Sequence, residues 1–323
     1  MTLAGADEGG VAAPGRQPAP GACTPLHASR DCLPCLARQA AEAIALSVDD
    51  PARQAAILAA VTRELAAADL ACSPPRLARH LHRAIRAHTG VADPYLSVKQ
   101  HMNRLASGLL PRCRQWIAAA PDPRAAVVRL AVAGNLLDCG AQDRIEPEEL
   151  PRLFSGLWSR PLAGDPQDLF QAAGQAASIL YLADNAGEIV FDRLLIEALP
   201  HARVTLAVRG RPVLNDALAA DAALAGITGL VPVIDNGSDV PGTLLEDCSE
   251  AFRERFRTAD LVISKGQGNY ETLAGVAAPV FFLFTAKCPL VASHVGAPVG
   301  ALVARRSPAW RDRSAPCQPA CPA

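Results

Sequence analysis

The segment 178–199, SILYLADNAGEIVFDRLLIEAL, constrains the fold of this chain more than any other stretch. It begins with a short apolar run typical of a strand and continues through the polar turn Asp184-Asn185-Ala186-Gly187. It ends with apolar residues at helical spacing. Parallel sheets are built from such units and bind ligands at the carboxyl ends of their strands. The segment predicts a sheet that presents Asp184 and Asn185 to a ligand; a helix cap at Asp184 is the simpler alternative.

The second half of the chain continues this rhythm. Over residues 165–305, short β-branched or apolar runs alternate with helical patterns, which predicts an α/β domain with a mostly parallel sheet. The expected strands are 179–183, 203–208, 229–234, 261–264 and 280–284, and the expected helices are 188–199, 215–224, 248–257 and 270–274. The fold class is therefore α/β, with helices on both faces of the sheet.

The first half of the chain contains helical patterns only. Residues 31–160 predict an all-α domain of about six helices. The clearest segments are 51–67, 75–89, 93–105 and 123–140. Residues 1–30 are rich in Gly, Ala and Pro, which predicts a disordered leader, and residues 306–323 are expected to form a flexible tail.

Charge, hydropathy and cysteine usage exclude several classes of partner. The chain has 323 residues, with 31 basic and 32 acidic side chains, so no excess of positive charge favours nucleic acid or an anionic membrane. Apolar runs are short, and no signal-peptide pattern is present. Ten scattered cysteines in a chain of this size indicate reduced thiols rather than a disulfide framework. We expect a cytoplasmic protein without a membrane partner.

Polar loops follow four of the five expected strands, at 184–188, 209–216, 265–271 and 286–289. Loops at the carboxyl ends of parallel strands meet at one edge of the sheet, so these residues are expected to converge. They supply carboxylates, amides and glycines. They also contain two of the three lysines in the chain, Lys265 and Lys287.

This mixture of side chains suits cleavage of a phosphate ester with the help of a divalent cation. Asp and Asn oxygens are hard donors for Mg²⁺ or Mn²⁺. A lysine and backbone N–H groups neutralise phosphoryl charge, and Gly266 and Gly268 would let the backbone approach a ligand closely. The loop does not match a Walker A motif, which requires Gly-Lys-Ser/Thr after a fixed gap.

The motifs LADNAGEIVFDRLLIEAL, VRGRPVLNDA, ISKGQGNYETL and FTAKCPLVA resemble those of the metal-dependent damage-control phosphatases. In the helical half, DCLPC at residues 31–35, DPY at 93–95 with Lys99, and AGNLLD at 133–138 resemble signatures of the same family. The resemblance implies a helical domain packed on a Rossmann-like α/β/α domain. It also implies hydrolysis of phosphomonoesters of small, side-product or damaged metabolites such as sugar phosphates.

The resemblance also implies roles for individual residues. Asp184, Asn185 and Asp216 match the metal ligands, for Mg²⁺ or Mn²⁺ and with Co²⁺ or Ni²⁺ as further options, and Lys287 matches the lysine that contacts the phosphate. The residues expected to bind substrate are Glu188, Asn215, Lys265, Gly266, Gln267, Gly268 and Asn269. Asn135, Asp138 and Lys99 are expected to support the site from behind. Other branches carry an acidic residue where this chain has Gln267, which leaves sugar-phosphate specificity open.

In the expected mechanism, Lys287 and the backbone amides of Ala186 and Gly187 bind phosphate oxygens that the metal does not contact. Either Asp184 attacks phosphorus or a metal-bound water does so, and the sequence leaves both routes open.

Two other functions compete with phosphate-ester hydrolysis. The first is a carboxylate O-methyltransferase using S-adenosylmethionine, although the first loop has one glycine and the second strand ends in Arg-Gly-Arg. The second is a non-catalytic protein that binds a metal or a phospholigand.

Two further features remain open from sequence. Cys32-x-x-Cys35 fits a structural role, half of a zinc site with Cys23 and His27, or a redox motif. The oligomeric state, including a homo-oligomer, is also open.

Overall fold

A computed structural model describes residues 26–134 and 156–310, and the part of the chain it describes is an α/β fold with eleven α-helices and seven strands. The helices are α1 (Cys32–Ala45), α2 (Pro51–Ala66), α3 (Pro74–Thr89), α4 (Leu96–Ala119), α5 (Pro123–Ala133), α6 (Pro166–Gln175), α7 (Glu188–Ala198), α8 (Ala219–Leu224), α9 (Glu250–Thr258), α10 (Gln267–Leu273) and α11 (Pro289–Val295). The strands are β1 (Leu162–Gly164), β2 (Ile179–Leu182), β3 (Val204–Val208), β4 (Val233–Asp235), β5 (Leu261–Lys265), β6 (Val280–Thr285) and β7 (Leu302–Arg306).

The seven strands form one sheet in the order β1-β7-β6-β5-β2-β3-β4. All neighbouring strands are parallel except β6 and β7, which are antiparallel. The chain runs from β2 to β3 on one side, whereas β5 pairs with β2 on the other side. This reversal creates a switch point beyond the carboxyl ends of β2 and β5, where open α/β sheets bind their ligands.

The predicted α/β class and the five predicted strands are confirmed, with β4 shorter than expected. The structure adds β1, β7, α6 and α11, which the sequence patterns did not predict. The strand β1 has only three residues, and β7 ends in two arginines, so neither shows a long apolar run. Helix α6 begins at Pro166 with the Asp165 side chain accepting from the Gln167 N–H, a start signal in a stretch of weak periodicity.

The buried apolar residues form three clusters. One covers a face of the sheet and includes α4, α5 and α7; a second covers the opposite face with α9, α10 and α11. The third consists mainly of α1, α2 and α3 packed on one another. The predicted helical domain 31–160 thus contributes to two clusters, and its α4 and α5 are part of the core of the sheet.

Order at both ends of the described region extends beyond the expected boundaries. Leu26 and Ala28 lie within the predicted leader, but Leu26 is buried against the sheet and the Ala28 N–H donates to the Cys72 carbonyl at 2.8 Å. Ser307 and Ala309, in the predicted tail, are also buried. The predictions for residues 1–25, 135–155 and 311–323 fall outside the described residues. Within the described ranges, no helix is both long and apolar enough to cross a membrane.

Candidate functional site

The loops after β2 and β3 meet at the switch point. Asn185 and Asp216 form an isolated antiparallel bridge, in which the Ala186 N–H donates to the Asn215 carbonyl at 2.8 Å. The Ala217 N–H donates to the Asp184 carbonyl, also at 2.8 Å. These backbone bonds bring Asp184, Asn185 and Asp216, the three expected metal ligands, to one place. All three side chains are buried.

A residue with unusual backbone geometry precedes this bridge. Leu214 has a φ of 46°, and among the described residues it is the only non-glycine with positive φ. Its side chain packs against the cluster formed by α1, α2 and α3. Because a branched side chain rarely adopts this conformation, the packing and the bridge beside it must hold the loop in place.

Gly266, at the end of β5, lies directly against the Asp184 carboxylate. Its φ is 81°, and a Cβ atom at this position would lie 1.9 Å from Asp184 Oδ2. A glycine is therefore required here both for the backbone conformation and for the close approach of the carboxylate. The sequence predicted that Gly266 lies at the site; the structure shows it in contact with Asp184.

Negative charge accumulates around Asp184. Burial raises the pKa of its carboxyl well above the usual range, and the neighbouring Glu188 and Asp216 raise it further, while Arg209 and Lys287 lower it. The Asn185 side-chain amide donates to Asp184 Oδ2 at 2.9 Å and to Glu188 Oε2 at 3.3 Å. Three carboxylates gathered in a buried place are stabilised by a cation. The carboxylate oxygens of Asp184 and Asp216, with the oxygen of the Asn185 amide, are donors that suit a hard divalent metal ion.

Arg209 is a site residue that the sequence predictions did not include. Its buried guanidinium donates from Nε to Asp216 Oδ2 at 2.6 Å, and another of its nitrogens lies 3.9 Å from Asp184 Oδ1. It also donates to Asn269 Oδ1 at 3.2 Å. The arginine thus connects the loops after β2, β3 and β5. Its place directly after a strand, in a loop already expected at the site, was a usable signal.

Lys265 occupies a different position from the one expected of a substrate-binding residue. Its ammonium is fully buried and donates to Glu188 Oε1 at 2.6 Å, to Asp192 Oδ1 at 2.5 Å and to the Ala131 carbonyl at 2.8 Å. Asp192 lies on α7 and Ala131 on α5, so the ammonium is bound between two buried helices. Glu188, also expected to contact substrate, joins this buried group to Asn185 instead.

The remaining predicted substrate-binding residues are engaged within the protein. Asn269 is fully buried and accepts from Arg209 and from the Thr243 hydroxyl at 2.7 Å. Gln267 is half-buried and bonds to its neighbours through both ends of its amide. Gly268 packs its backbone against the Pro241 carbonyl. Lys287 is exposed on the loop after β6, and Asn215 is half-buried beside Asp216.

The expected phosphate contacts from the amides of Ala186 and Gly187 are not available in this arrangement. The Ala186 N–H bonds to the Asn215 carbonyl, and the Gly187 N–H donates to Asn103 Oδ1 at 2.7 Å. Asn103, on α4, was not predicted. Its side-chain amide also donates to Asp221 Oδ1 at 2.6 Å, and Asp221 accepts from the Leu218 N–H at 2.8 Å. A fully buried asparagine therefore ties the loop after β2 to the loop after β3.

The supporting residues and the cysteine motif have mixed outcomes. Lys99 is buried on α4 and forms an ion pair of 2.6 Å with Asp93, whereas Asn135 and Asp138 lie outside the described residues. Cys32 and Cys35 are free thiols at the start of α1.

Within residues 26–134 and 156–310, no three His, Cys, Asp or Glu side chains are arranged to hold a metal ion. The set expected at the switch point has two carboxylates and an amide, and the amide is outside those four residue types.

Known proteins resemble this chain over most of its length. The sequence profile of the damage-control phosphatase ARMT1-like domain matches residues 28–303. A damage-control phosphatase, PH1575, from Pyrococcus horikoshii is 33% identical over 86% of this chain and 97% of its own length. A damage-control phosphatase from Archaeoglobus fulgidus is 33% identical over 71% of this chain and 81% of its own length. An uncharacterised protein, MJ0202, from Methanocaldococcus jannaschii is 32% identical over 84% of this chain and 92% of its own length.

The fold agrees with that of a solved relative. The crystal structure of PH1575, described as a DUF89 family protein, superposes with a TM-score of 0.79 at 30% identity. The match covers 87% of this chain and 99% of that one. From the sequence profile, the relatives and the shared fold together, the chain belongs to the ARMT1-like damage-control phosphatase family.

Proposed function

We propose that this phosphatase hydrolyses phosphomonoesters of small metabolites, sugar phosphates among them, at the switch point formed by Asp184, Asn185 and Asp216. The observation that carries the proposal is the bridge between Asn185 and Asp216, since it places two carboxylates and an amide where parallel sheets bind ligands. The family name of the relatives supports damaged or side-product metabolites as substrates. A methyltransferase activity has no comparable support.

The family is metal-dependent in general, and the donor set favours Mg²⁺ or Mn²⁺, with Co²⁺ or Ni²⁺ as substitutes. Asp184, Asn185 and Asp216 would hold the ion. When bound, the ion supplies positive charge that polarises the phosphoryl group. The donor set fits a cation because its carboxylates are crowded together. Burial raises the pKa of Asp184, and the neighbouring Glu188 and Asp216 raise it further, so a positive ion would stabilise the ionised carboxylates.

The chain's own residues would orient the carboxylates and bind the phosphate. Gly266 and Asn185 orient the Asp184 carboxylate, one by close contact and the other by a hydrogen bond. Arg209 holds Asp216 and offers positive charge within 3.9 Å of Asp184. Lys287 is exposed on the loop after β6 and lowers the pKa of Asp184, and it would bind phosphate oxygens. The burial of Asp184 and Asp216 excludes water from most of their surface and strengthens these electrostatic contacts.

Hydrolysis of an aryl phosphate in the presence of Mg²⁺, Mn²⁺, Co²⁺ or Ni²⁺ tests this proposal. We expect metal-dependent turnover by the wild type and a loss on the order of 10³-fold in kcat for Asp184→Asn and Asp216→Asn. Glu254→Gln, which changes an exposed carboxylate on α9, is the matched control and should retain full activity. Equal activity in all four proteins would refute the site assignment. Metal-induced thermal stabilisation without turnover would instead favour the non-catalytic binding function.

A panel of phosphorylated metabolites would then rank the natural substrates. A cytoplasmic location stays a prediction from the sequence.

A further inference from the structure

Gln267 is fully occupied by contacts inside the protein, although the family resemblance places it at the substrate. Its side-chain Oε1 accepts from the Lys287 backbone N–H at 2.8 Å. Its Nε2 donates to Glu271 Oε1 at 2.8 Å and lies 3.6 Å from the Cys288 sulfur. Both ends of the amide therefore join α10 to the loop that carries Lys287.

Glu271 anchors this connection. It lies one turn after Gln267 on α10, and only 9% of its surface is exposed. Burial raises its pKa to about 7, while Lys287 lowers it. Lys287 also lowers the pKa of Asp184. The Lys287 ammonium is therefore within electrostatic range of both carboxyls, one in the proposed metal site and one behind the loop.

The other charged groups near α10 are engaged elsewhere. Helix α3 packs against α10, and its arginines at positions 79, 83 and 86 pair with Asp239 and Asp247. The Lys265 ammonium, on the preceding strand, is bound by Glu188 and Asp192. Burial raises the pKa of the nearby Cys288 thiol, and Glu271 raises it further. Lys287 is thus the cation whose charge acts on Glu271.

We propose that Gln267 and Glu271 form a latch that positions Lys287 for the substrate phosphate, so that Gln267 acts on the substrate through Lys287 rather than by contact. The inference rests on the proposed function, since it assigns Lys287 to phosphate. Its consequence is that a change at position 267 alters the affinity for the phosphoryl group itself, whichever alcohol the phosphate esterifies. Discrimination between sugars must then come from other residues.

Exchange of the two side chains distinguishes a latch from a substrate contact. In Gln267→Glu, one oxygen of the new carboxylate can still accept from the Lys287 N–H, but the other faces the Glu271 carboxyl. In the double variant Gln267→Glu/Glu271→Gln, the amide introduced at position 271 can donate to the carboxylate introduced at position 267, which restores the bond with its direction reversed. Both proteins carry the same carboxylate at position 267, so a residue that touched substrate directly would be equally changed in both.

The measurements are the KM for an aryl phosphate and the binding of inorganic phosphate to the metal-loaded protein by calorimetry. We expect Gln267→Leu and Gln267→Glu to raise the KM and weaken phosphate binding by about tenfold each, since the first variant loses the hydrogen bond to the loop and the second sets two carboxyls against each other. The exchanged double variant should recover to within about threefold of wild type. In a Lys287→Met background, Gln267→Leu should add nothing, because residues that act in series are not additive.

Two results would overturn the latch. One is an exchanged variant as impaired as Gln267→Glu; the other is a full effect of Gln267→Leu in the absence of the Lys287 ammonium. Thermal unfolding of each variant identifies a folding defect. Phosphate binding is measured without turnover, so failure of the phosphatase assignment would appear separately, as an inactive wild type.

Discussion

Helices α1–α3 and α4–α5 are neighbours in the chain, yet they attach to the sheet by different forces. Helices α4 and α5 are embedded in the apolar cluster that covers one face of the sheet. Every residue from Ala126 to Ala133 in α5 is buried except Arg129, and α4 adds Met102 and Ala106 to the same cluster. The first three helices bury their apolar residues mainly on one another. Helix α3 instead meets the α/β part through arginines paired with Asp239 and Asp247.

The difference also appears at the site. Helix α4 reaches it directly, through Asn103 on the Gly187 N–H, and α5 supports it from behind, through the Ala131 carbonyl on Lys265. Helix α3 contacts the loop after β3, where Arg86 donates to the Pro212 carbonyl at 3.1 Å. The contacts of α4 and α5 are buried, whereas that of α3 is partly exposed. Mutations in the two regions should therefore differ in size and in salt dependence.

The largest effect is expected at the buried ammonium beneath α5. Lys265→Met leaves Glu188 and Asp192 buried without their cation, which should lower the free energy of unfolding by about 3–5 kcal/mol. Urea denaturation measures the loss, and adding Asp192→Asn should recover part of it by removing one of the two carboxylates. A loss below about 1 kcal/mol would show that the ion pair contributes little to the embedded region.

A pH titration of stability isolates Glu271, on the helix that packs against α3. Its folded pKa of about 7 lies above the ordinary value of 4.5, so the folded protein binds the proton more tightly between these pH values. The free energy of unfolding should therefore fall as pH rises through this window, by about 3 kcal/mol. Glu271→Gln removes this slope, so its advantage over wild type should grow from pH 5 to pH 8. Parallel curves would contradict the assignment.

A somewhat smaller effect is expected at the contact that α4 makes with the site. Asn103→Leu leaves the Gly187 N–H and an Asp221 oxygen without their buried partner, at a cost of about 2–3 kcal/mol. Metal affinity should fall with it, because the loops after β2 and β3 lose their shared tie. Ser107→Ala, one turn along the same helix, removes only a bond to the Asn103 carbonyl and should change little. Unaltered metal binding in Asn103→Leu would show that Asn103 does not support the metal site.

The smallest effect is expected on the α3 side. Arg83→Met removes an ion pair whose arginine is 40% exposed, so the loss should be about 1 kcal/mol or less at low salt. In 1 M salt the difference from wild type should shrink further, whereas that of Lys265→Met should not. An equal salt response in both variants would erase the distinction between the two groups of helices.

Sequence patterns predicted the centre of the molecule better than its contacts. The five apolar strands and the loops after them were recognisable because strand periodicity and parallel topology constrain where loop residues meet. The role of Lys265 was not recognisable in the same way: its carboxylate partners are contributed by a helix that follows a different strand. The signal was present in Glu188 and Asp192, two acids four residues apart on the apolar side of a helix, where buried charge requires a partner.

Asn103 and Arg209 illustrate a second limit. Each forms hydrogen bonds to loops far away in sequence, and neither belongs to a motif whose spacing identifies such a partner. Asn103 stands on the buried side of α4 next to Met102, so an unexplained polar residue in an apolar stripe was the usable sign. The phosphate contacts expected from Ala186 and Gly187 could not be excluded from sequence, because their competing acceptors come from other elements.

Leu214 connects helices α1–α3 to the site through side-chain packing. Its side chain is seated in their apolar cluster, its backbone is in a conformation that branched residues avoid, and Asp216 follows two residues later. If these helices tilted or were removed, the seat of Leu214 would be lost and the backbone could relax toward negative φ, carrying Asp216 away from Asn185. We therefore expect the α/β part to lose metal affinity when it is separated from these helices, because the geometry of one proposed metal ligand is held from outside the sheet.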